Sequence, residues 1–326
     1  MGVGIAVPMD LFWIEDCRVE VISDTTSWPM KAPPRGLMKP LVGLQKRMEK
    51  MWESLNLLRN NVSGNRRSGG WRGPDVNPWI YARGRKNMMV FVRIVSRRNG
   101  GKFCVGTYHM PCAFWSEAVM MIHCSLVVSK FLDLCSGDQG VLAGDFNIKP
   151  GDVCYDLITK GRVAGRGGGV LEVEGNGIVG GVTIGGGELV VEEEGKERGK
   201  EREIDGLRKC PDGSDGYKWL PMIVQPLKSA YVERFGNEPD FTNYARVAEN
   251  EPFIDTLDYL FCTAHCDVLD ALALPKRDQV DGPFPSRNEP SDHVLVGASF
   301  RVQPPLPQAT YGPSVGEMTE LEKGGR

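Results

Sequence analysis

Apolar residues recur along the chain in two periods. A period near two marks strands and a period of three to four marks helices. Residues 2–8 and 11–23 read as two strands, the second centred on Val19-Glu-Val-Ile22. Residues 42–58 carry Leu44, Met48, Met51, Trp52, Leu55 and Leu58 on one stripe, the mark of an amphipathic helix. Residues 88–95 and 103–108 read as a hairpin around the turn Arg98-Asn-Gly-Gly101. A helix is expected over residues 115–134, with Val119, Ile122, Leu126, Val127 and Phe131 on a broad apolar side. Lys149-Pro-Gly-Asp152 opens another through Tyr155 and Ile158. Residues 253–261 form a strong strand, 268–274 another, and 294–302 a last one.

The pattern is most informative at Val141-Leu-Ala-Gly-Asp-Phe-Asn-Ile148. An apolar strand end stops at Gly144 and delivers Asp145 and Asn147 two residues apart. Alternation places both on one face and turns Phe146 into packing. A carboxylate beside an amide suits a hard cation with a water or a phosphate oxygen. The competing reading is a polar turn, which Asp and Asn favour anyway. Other polar groups share this setting. His109 ends a strand, Asp258 sits among large apolar residues and needs a partner, and Asp292 with His293 precedes the last strand. His123 falls inside a helix and reads as structural.

Between residues 161 and 206 Gly and Glu crowd the chain. Gly175-x-Gly-x-x-Gly180 formally matches a dinucleotide fingerprint, yet no helix follows, so a hairpin tip fits better. The charge run 192–203 reads as a solvated insertion, and residues 303–326 as a disordered tail. Cys262-x-x-His265-Cys266 lacks an evident fourth zinc ligand.

The 326 residues carry a net charge of −3, with 41% hydrophobic and 25% charged residues. That is the composition of a globular protein, and it argues against whole-chain binding of a polyanion. Local basic patches remain open. Residues 59–102 gather Arg and Lys around Trp71, Trp79 and Tyr81, a mix that suits single-stranded nucleic acid if those rings are not core. No apolar run approaches the roughly 20 residues of a membrane span, and no signal peptide is recognised. Nine scattered cysteines suit reduced thiols, so a cytoplasmic or nuclear location is expected.

Four stretches then stand in order: Gly144-Asp-Phe-Asn147 with Pro150 and Tyr155; Ser229-Ala-Tyr231 with Glu238-Pro and Phe241-Thr-Asn243; Thr256-Leu-Asp-Tyr259; and Pro290-Ser-Asp-His293. Together they resemble the endonuclease/exonuclease/phosphatase superfamily. They are most similar to its branch of carbon-catabolite-repressor-type deadenylases, nocturnin and Angel proteins. The resemblance implies one domain over residues 1–302, a four-layer αββα sandwich of two mixed sheets with outer helices. It implies a Mg²⁺ (or Mn²⁺) dependent phosphoester hydrolase, a phosphodiesterase or nuclease acting on RNA, and a monomer is expected. Asp145 would orient and deprotonate water, and Asn147 would hold that water or the phosphate. His293 would bond a phosphate oxygen with Asp258 behind it, Asp145 and Asp292 would serve the metal, and His109 would touch the phosphate. The family pattern opens with strands bearing an Asn and a metal-binding Glu, and no stretch here matches them, so impaired activity is one expectation. The alternatives are a small-molecule phosphoesterase of the inositol-phosphate or sphingolipid type, and a non-catalytic binding remnant.

Overall fold

The computed structural model describes residues 2–28, 78–163, 170–174, 177–182, 207–209, 217–246 and 252–303. The expected helix at 42–58, Trp71, the charge run 192–203 and nearly all of the tail lie outside them.

A six-stranded mixed sheet forms the centre. Its strands are β1 (Phe12–Val21), β2 (Met88–Ser96), β3 (Lys102–Tyr108), β4 (Gly140–Asp145), β12 (Asp258–Cys262) and β9 (Lys228–Ser229), in that order across the sheet. Strands β3 and β4 run parallel and the other neighbours antiparallel. The hairpin between β2 and β3 closes where Ser96 N–H donates to Gly101 O at 2.8 Å.

The parallel step needs a crossover, and α2 (Glu117–Cys135) supplies it. Ser116 caps this helix by accepting from Val119 N–H. Thirteen of its 19 residues are buried, because it lies between the sheet and α1 (Pro78–Gly84) and α3 (Val153–Lys160). By length and composition α2 could cross a membrane, but here its apolar surface is spent on the core. Phe131 and Phe91 meet edge-on at 6.2 Å, and burying one such side chain stabilises by about 1.5–3 kcal/mol.

The opposite face of the sheet packs on a smaller antiparallel pair, β13 (Asp267–Ala271) with β14 (Ala298–Arg301). Val92, Ile94, Phe103 and Val141 from the large sheet meet Val268, Phe300 and Val302 there. Helix α4 (Ala230–Phe235) sits beside β13 through Arg234–Asp270. This is the sheet-on-sheet arrangement with outer helices that the motifs imply, its second sheet two strands wide among the described residues.

Several expectations need adjustment. Residues 2–8 keep the alternating burial of a strand, and Ile5 and Val7 pack on the inner cluster, but no ladder partner joins them among the described residues. The stretch 253–261 is two strands, β11 (Phe253–Asp255) and β12, in different sheets. The Thr242 hydroxyl accepts from both Leu257 and Asp258 N–H at 2.9 Å, which turns the chain between them. The insertion, by contrast, holds an antiparallel pair as expected, β5 (Val170–Glu174) with β6 (Gly177–Val182), Glu174 standing opposite Gly177. These two share a sheet with β7 (Leu207–Lys209) and β8 (Tyr217–Trp219). Trp79 and Tyr81 are core residues, edge-on to Trp219 at 5.5 Å and Trp115 at 5.0 Å, and so offer no face to a base.

Candidate active site

Strand β4 ends where the chemistry begins. Gly144 has φ 145°, and a Cβ there would lie 2.0 Å from the Tyr108 carbonyl oxygen on β3. Only glycine admits this approach. Phe146 is fully buried and packs edge-on against Phe261 at 5.0 Å. It anchors the turn that carries Asp145 and Asn147.

The two polar residues are brought together more tightly than strand alternation requires. Asn147 adopts a left-handed backbone, φ 51°, which Asn tolerates better than most residues. Its N–H donates to Asp145 Oδ1 at 2.9 Å. Its side-chain Nδ2 donates to Met110 O at 3.1 Å, leaving Oδ1 with no protein donor among the described residues. The pair is therefore held by an Asx-type turn outside the strand rather than by two strand positions.

Across the ladder, Asp258 on β12 stands opposite Asp145. Its Oδ2 accepts from His293 Nδ1 at 2.7 Å and from Thr242 Oγ1 at 2.8 Å. His293 comes from a remote segment, sewn on by backbone bonds. Tyr244 N–H donates to Asp292 O and Val294 N–H to Thr242 O, both at 2.8 Å, flanking a bridge between Asn243 and His293. Strand β10 (Asn243–Ala245) also pairs with β11, so one short strand places His293 and orders the approach to Asp258.

His109 leaves the end of β3 and sets its Nε2 3.3 Å from Asp145 Oδ2. Its carbonyl accepts from Asn87 Nδ2 at 2.8 Å, which fixes the strand end. His109, Asp145, Asn147, Asp258 and His293 thus share one mouth at the strand ends. Asp292 is adjacent through its backbone, and its carboxylate makes no hydrogen bond among the described residues.

The electrostatics follow from this crowding. Burial raises the pKa of Asp145 above the usual carboxylate value, and the facing Asp258 raises it further. The Asn147 N–H and the two imidazoles pull the other way. His293 is raised above 6.5, chiefly by its bond to Asp258 and against its own desolvation. His123, by contrast, is fully buried away from the mouth. Its Nε2 donates to Ala82 O and its Nδ1 accepts from Tyr108 Oη, and burial pushes its pKa down to about 4. That is the structural histidine expected.

Two residues that the motifs contained were not read as part of the site. Thr242 is completely buried and holds Asp258 through two hydrogen bonds, with a third from the neighbouring Leu257 N–H. Tyr155 donates to Glu238 at 2.7 Å and ties α3 to the segment before β10. A Thr preceding an Asn is too common a pairing to signal this role.

Among the described residues no three His, Cys, Asp or Glu side chains cluster as a ready-made metal cage. Asp145 at the end of β4 and Asp292, whose carboxylate makes no hydrogen bond among the described residues, nevertheless suit a Mg²⁺ ion, which keeps most of its waters and leans on one or two carboxylates. Cys262 and Cys266 are buried while His265 is exposed, so that stretch is no zinc site.

Comparison with known proteins places this geometry in context. No family model matches the chain. Carbon catabolite repressor protein 4 homolog 4 of Arabidopsis thaliana is 28% identical over 167 residues, 50% of this chain and 27% of that protein. ANGEL2, described as a 2',3'-cyclic phosphatase, is 20% identical with TM-score 0.45, covering 71% of this chain and 64% of that one. The human Nocturnin catalytic domain is 16% identical with TM-score 0.37, over 67% and 54%. An endonuclease/exonuclease/phosphatase from Bacteroides vulgatus is 13% identical with TM-score 0.40, over 90% and 67%. The relatives found include an endonuclease/exonuclease/phosphatase and a protein from each of the three groups in the branch that the motifs resemble, the carbon-catabolite-repressor type, nocturnin and Angel. The chain spans about a quarter of the length of the curated relative it matches.

Proposed function

We propose that this chain is a phosphoester hydrolase, and more finely a Mg²⁺-assisted phosphodiesterase acting on RNA. The observation that carries it is the convergence of an acid–base pair and an anion-binding pair on one mouth. His293 on Asp258 faces Asp145 with Asn147 and His109 across the β4–β12 ladder.

Asp145, ionised, takes a proton from a water that attacks phosphorus in line. The bond from phosphorus to the leaving oxygen breaks, and that oxygen takes up a proton from solvent. Asn147 orients the water through its uncommitted Oδ1. His293 gives Nδ1–H to Asp258, so its Nε2–H, present when the ring is protonated, is left for a phosphate oxygen as charge builds there. The raised pKa of His293 supports this, because it enlarges the protonated fraction near neutrality. Asp258 holds the ring and His109 meets a further phosphate oxygen. Asp145 and Asp292 would hold Mg²⁺. When bound, the ion would draw charge from the phosphate oxygens.

The test is release of nucleotides from oligo(A) in the presence of Mg²⁺. Asp145→Ala should lower the rate by about 10²-fold or more, the scale of a lost general base. Equal rates for both proteins would refute the hydrolase reading. One observation favours a second reading, a binding remnant of the fold: no three-ligand cluster is present among the described residues. Calorimetric titration with Mg²⁺ separates the two. Millimolar or tighter binding that disappears in Asp145→Ala supports the enzyme, and its absence supports the remnant.

A further inference from the structure

A second cleft opens on the far side of His109. It has a volume of about 350 Å³ and runs from the His109 ring to the connection between α1 and β2. Arg85 and Lys86 line one wall, and Met88, Pro111 and Val3 contribute to the other. Among the described residues no carboxylate lines it. That sets it apart from a roomier cavity of about 600 Å³, where Glu238, Asp240 and Asp255 outnumber Lys276 and would repel an anion. Lys86 does pair with Asp24, but both side chains are more than half exposed. An exposed pair of this kind is weak in water and yields to a phosphate.

His109 belongs to both places. Its Nε2 lies 3.3 Å from Asp145 Oδ2, and its ring borders the basic cleft. A chain with one phosphate at Asp145 and His293 would lay the next phosphate toward Arg85 and Lys86. The volume lies within the range of small-ligand pockets. The apolar wall suits a sugar or base edge beside the charged phosphate.

We propose that the cleft bounded by Arg85, Lys86 and His109 is a second phosphate subsite, which takes the nucleotide adjacent to the scissile bond of a single-stranded polynucleotide. This deepens the reading of the site as a phosphodiesterase and rests on it. The subsite favours a polymer over a substrate with a single phosphate. The contacts are to phosphate, so sugar identity is not read there.

The experiment compares wild-type protein with the double variant R85A/K86A, on three substrates with Mg²⁺. These are oligo(A), oligo(dA) and bis(p-nitrophenyl) phosphate, which has one phosphate and no neighbour. Both positions are at least partly exposed, and circular dichroism checks that the variant is folded. The expected result is a tenfold or larger rise in KM on both oligonucleotides, with kcat/KM on bis(p-nitrophenyl) phosphate within twofold of wild type. The slope of log KM against log salt should shrink by about 1.4, two contacts at about 0.7 each. Unchanged KM on the oligonucleotides, or an equal loss on all three substrates, overturns the subsite. If the wild-type protein hydrolyses none of them, the phosphodiesterase reading fails, and fluorescence anisotropy with labelled oligo(A) then judges the cleft separately. Tenfold weaker binding by the variant upholds it, and equal binding refutes it.

Discussion

Replacing Asp258 by Asn probes the site at its best-determined joint. One oxygen of Asp258 accepts from both His293 Nδ1 at 2.7 Å and Thr242 Oγ1 at 2.8 Å. An amide oxygen in the same place keeps both bonds and the shape, and loses only the charge. A hydrogen bond to a charged group contributes about 1.5–3 kcal/mol and a neutral one about 1, so the substitution costs about 0.5–2 kcal/mol. At about 1.36 kcal/mol per decade that is roughly a 2–30-fold loss of rate. The loss should depend on pH. His293 is raised above 6.5 chiefly by this bond, so without the carboxylate the ring deprotonates at lower pH. A pH–rate profile should show the alkaline limb displaced toward acid, with the two proteins closest at the acid end. Stability follows the same sign. A histidine whose pKa is raised on folding stabilises the protein below its unfolded value near 6.5, and that contribution is lost as pH rises through the folded value. Asp258→Asn should therefore lower Tm at pH 5.5 and change it little at pH 9. A uniform loss of rate at all pH values, or an unmoved alkaline limb, would refute the assignment of His293 as the anion-binding group.

Other outcomes follow from the same geometry. Gly144→Ala would force a Cβ to within 2.0 Å of Tyr108 O at a φ of 145°, so it should cost about 3 kcal/mol or more, read by urea unfolding. The acid limb of the pH–rate profile should lie above the ordinary carboxylate value, because Asp145 is raised by burial and by Asp258 and must be ionised to act. Folded Asp145 holds its proton more tightly than the unfolded chain does, so ionising it opposes folding above the unfolded value and the penalty fades as pH falls through the folded one. Asp145→Asn should accordingly be inactive yet melt higher than wild type at pH 8, with the gain vanishing toward pH 4 in thermal scans. A lower Tm at pH 8 would contradict that electrostatic picture.

Much of the fold was legible because its strands and helices obey simple periods. The hairpin of β2 and β3, the long helix α2 and the strand leading to Asp145 appear in the sequence as alternation, a turn and a broad apolar side. Errors came where a side chain from elsewhere overrode the local pattern. The run 253–261 looks like one strand until Thr242 captures two of its N–H groups. For Trp79 and Tyr81 the sequence left core and stacking readings both open, and their partners Trp219 and Trp115 decide for the core. Neither partner is close enough in sequence to be inferred.

By itself the sequence put forward the candidate site residues and their order: His109, Asp145, Asn147, Asp258, Asp292 and His293. Apolar runs that stop at Gly or Asp mark some of these positions locally, and the resemblance of four ordered motifs to a known superfamily is what joins them into one set. The tertiary structure alone decided which of them touch. Asp258 and His293 are 35 residues apart and meet because β10 bridges to the His293 segment, and Asp145 faces Asp258 through the register of two strands distant in the chain. Pairing between remote strands depends on the whole packed core, and no local pattern encodes it.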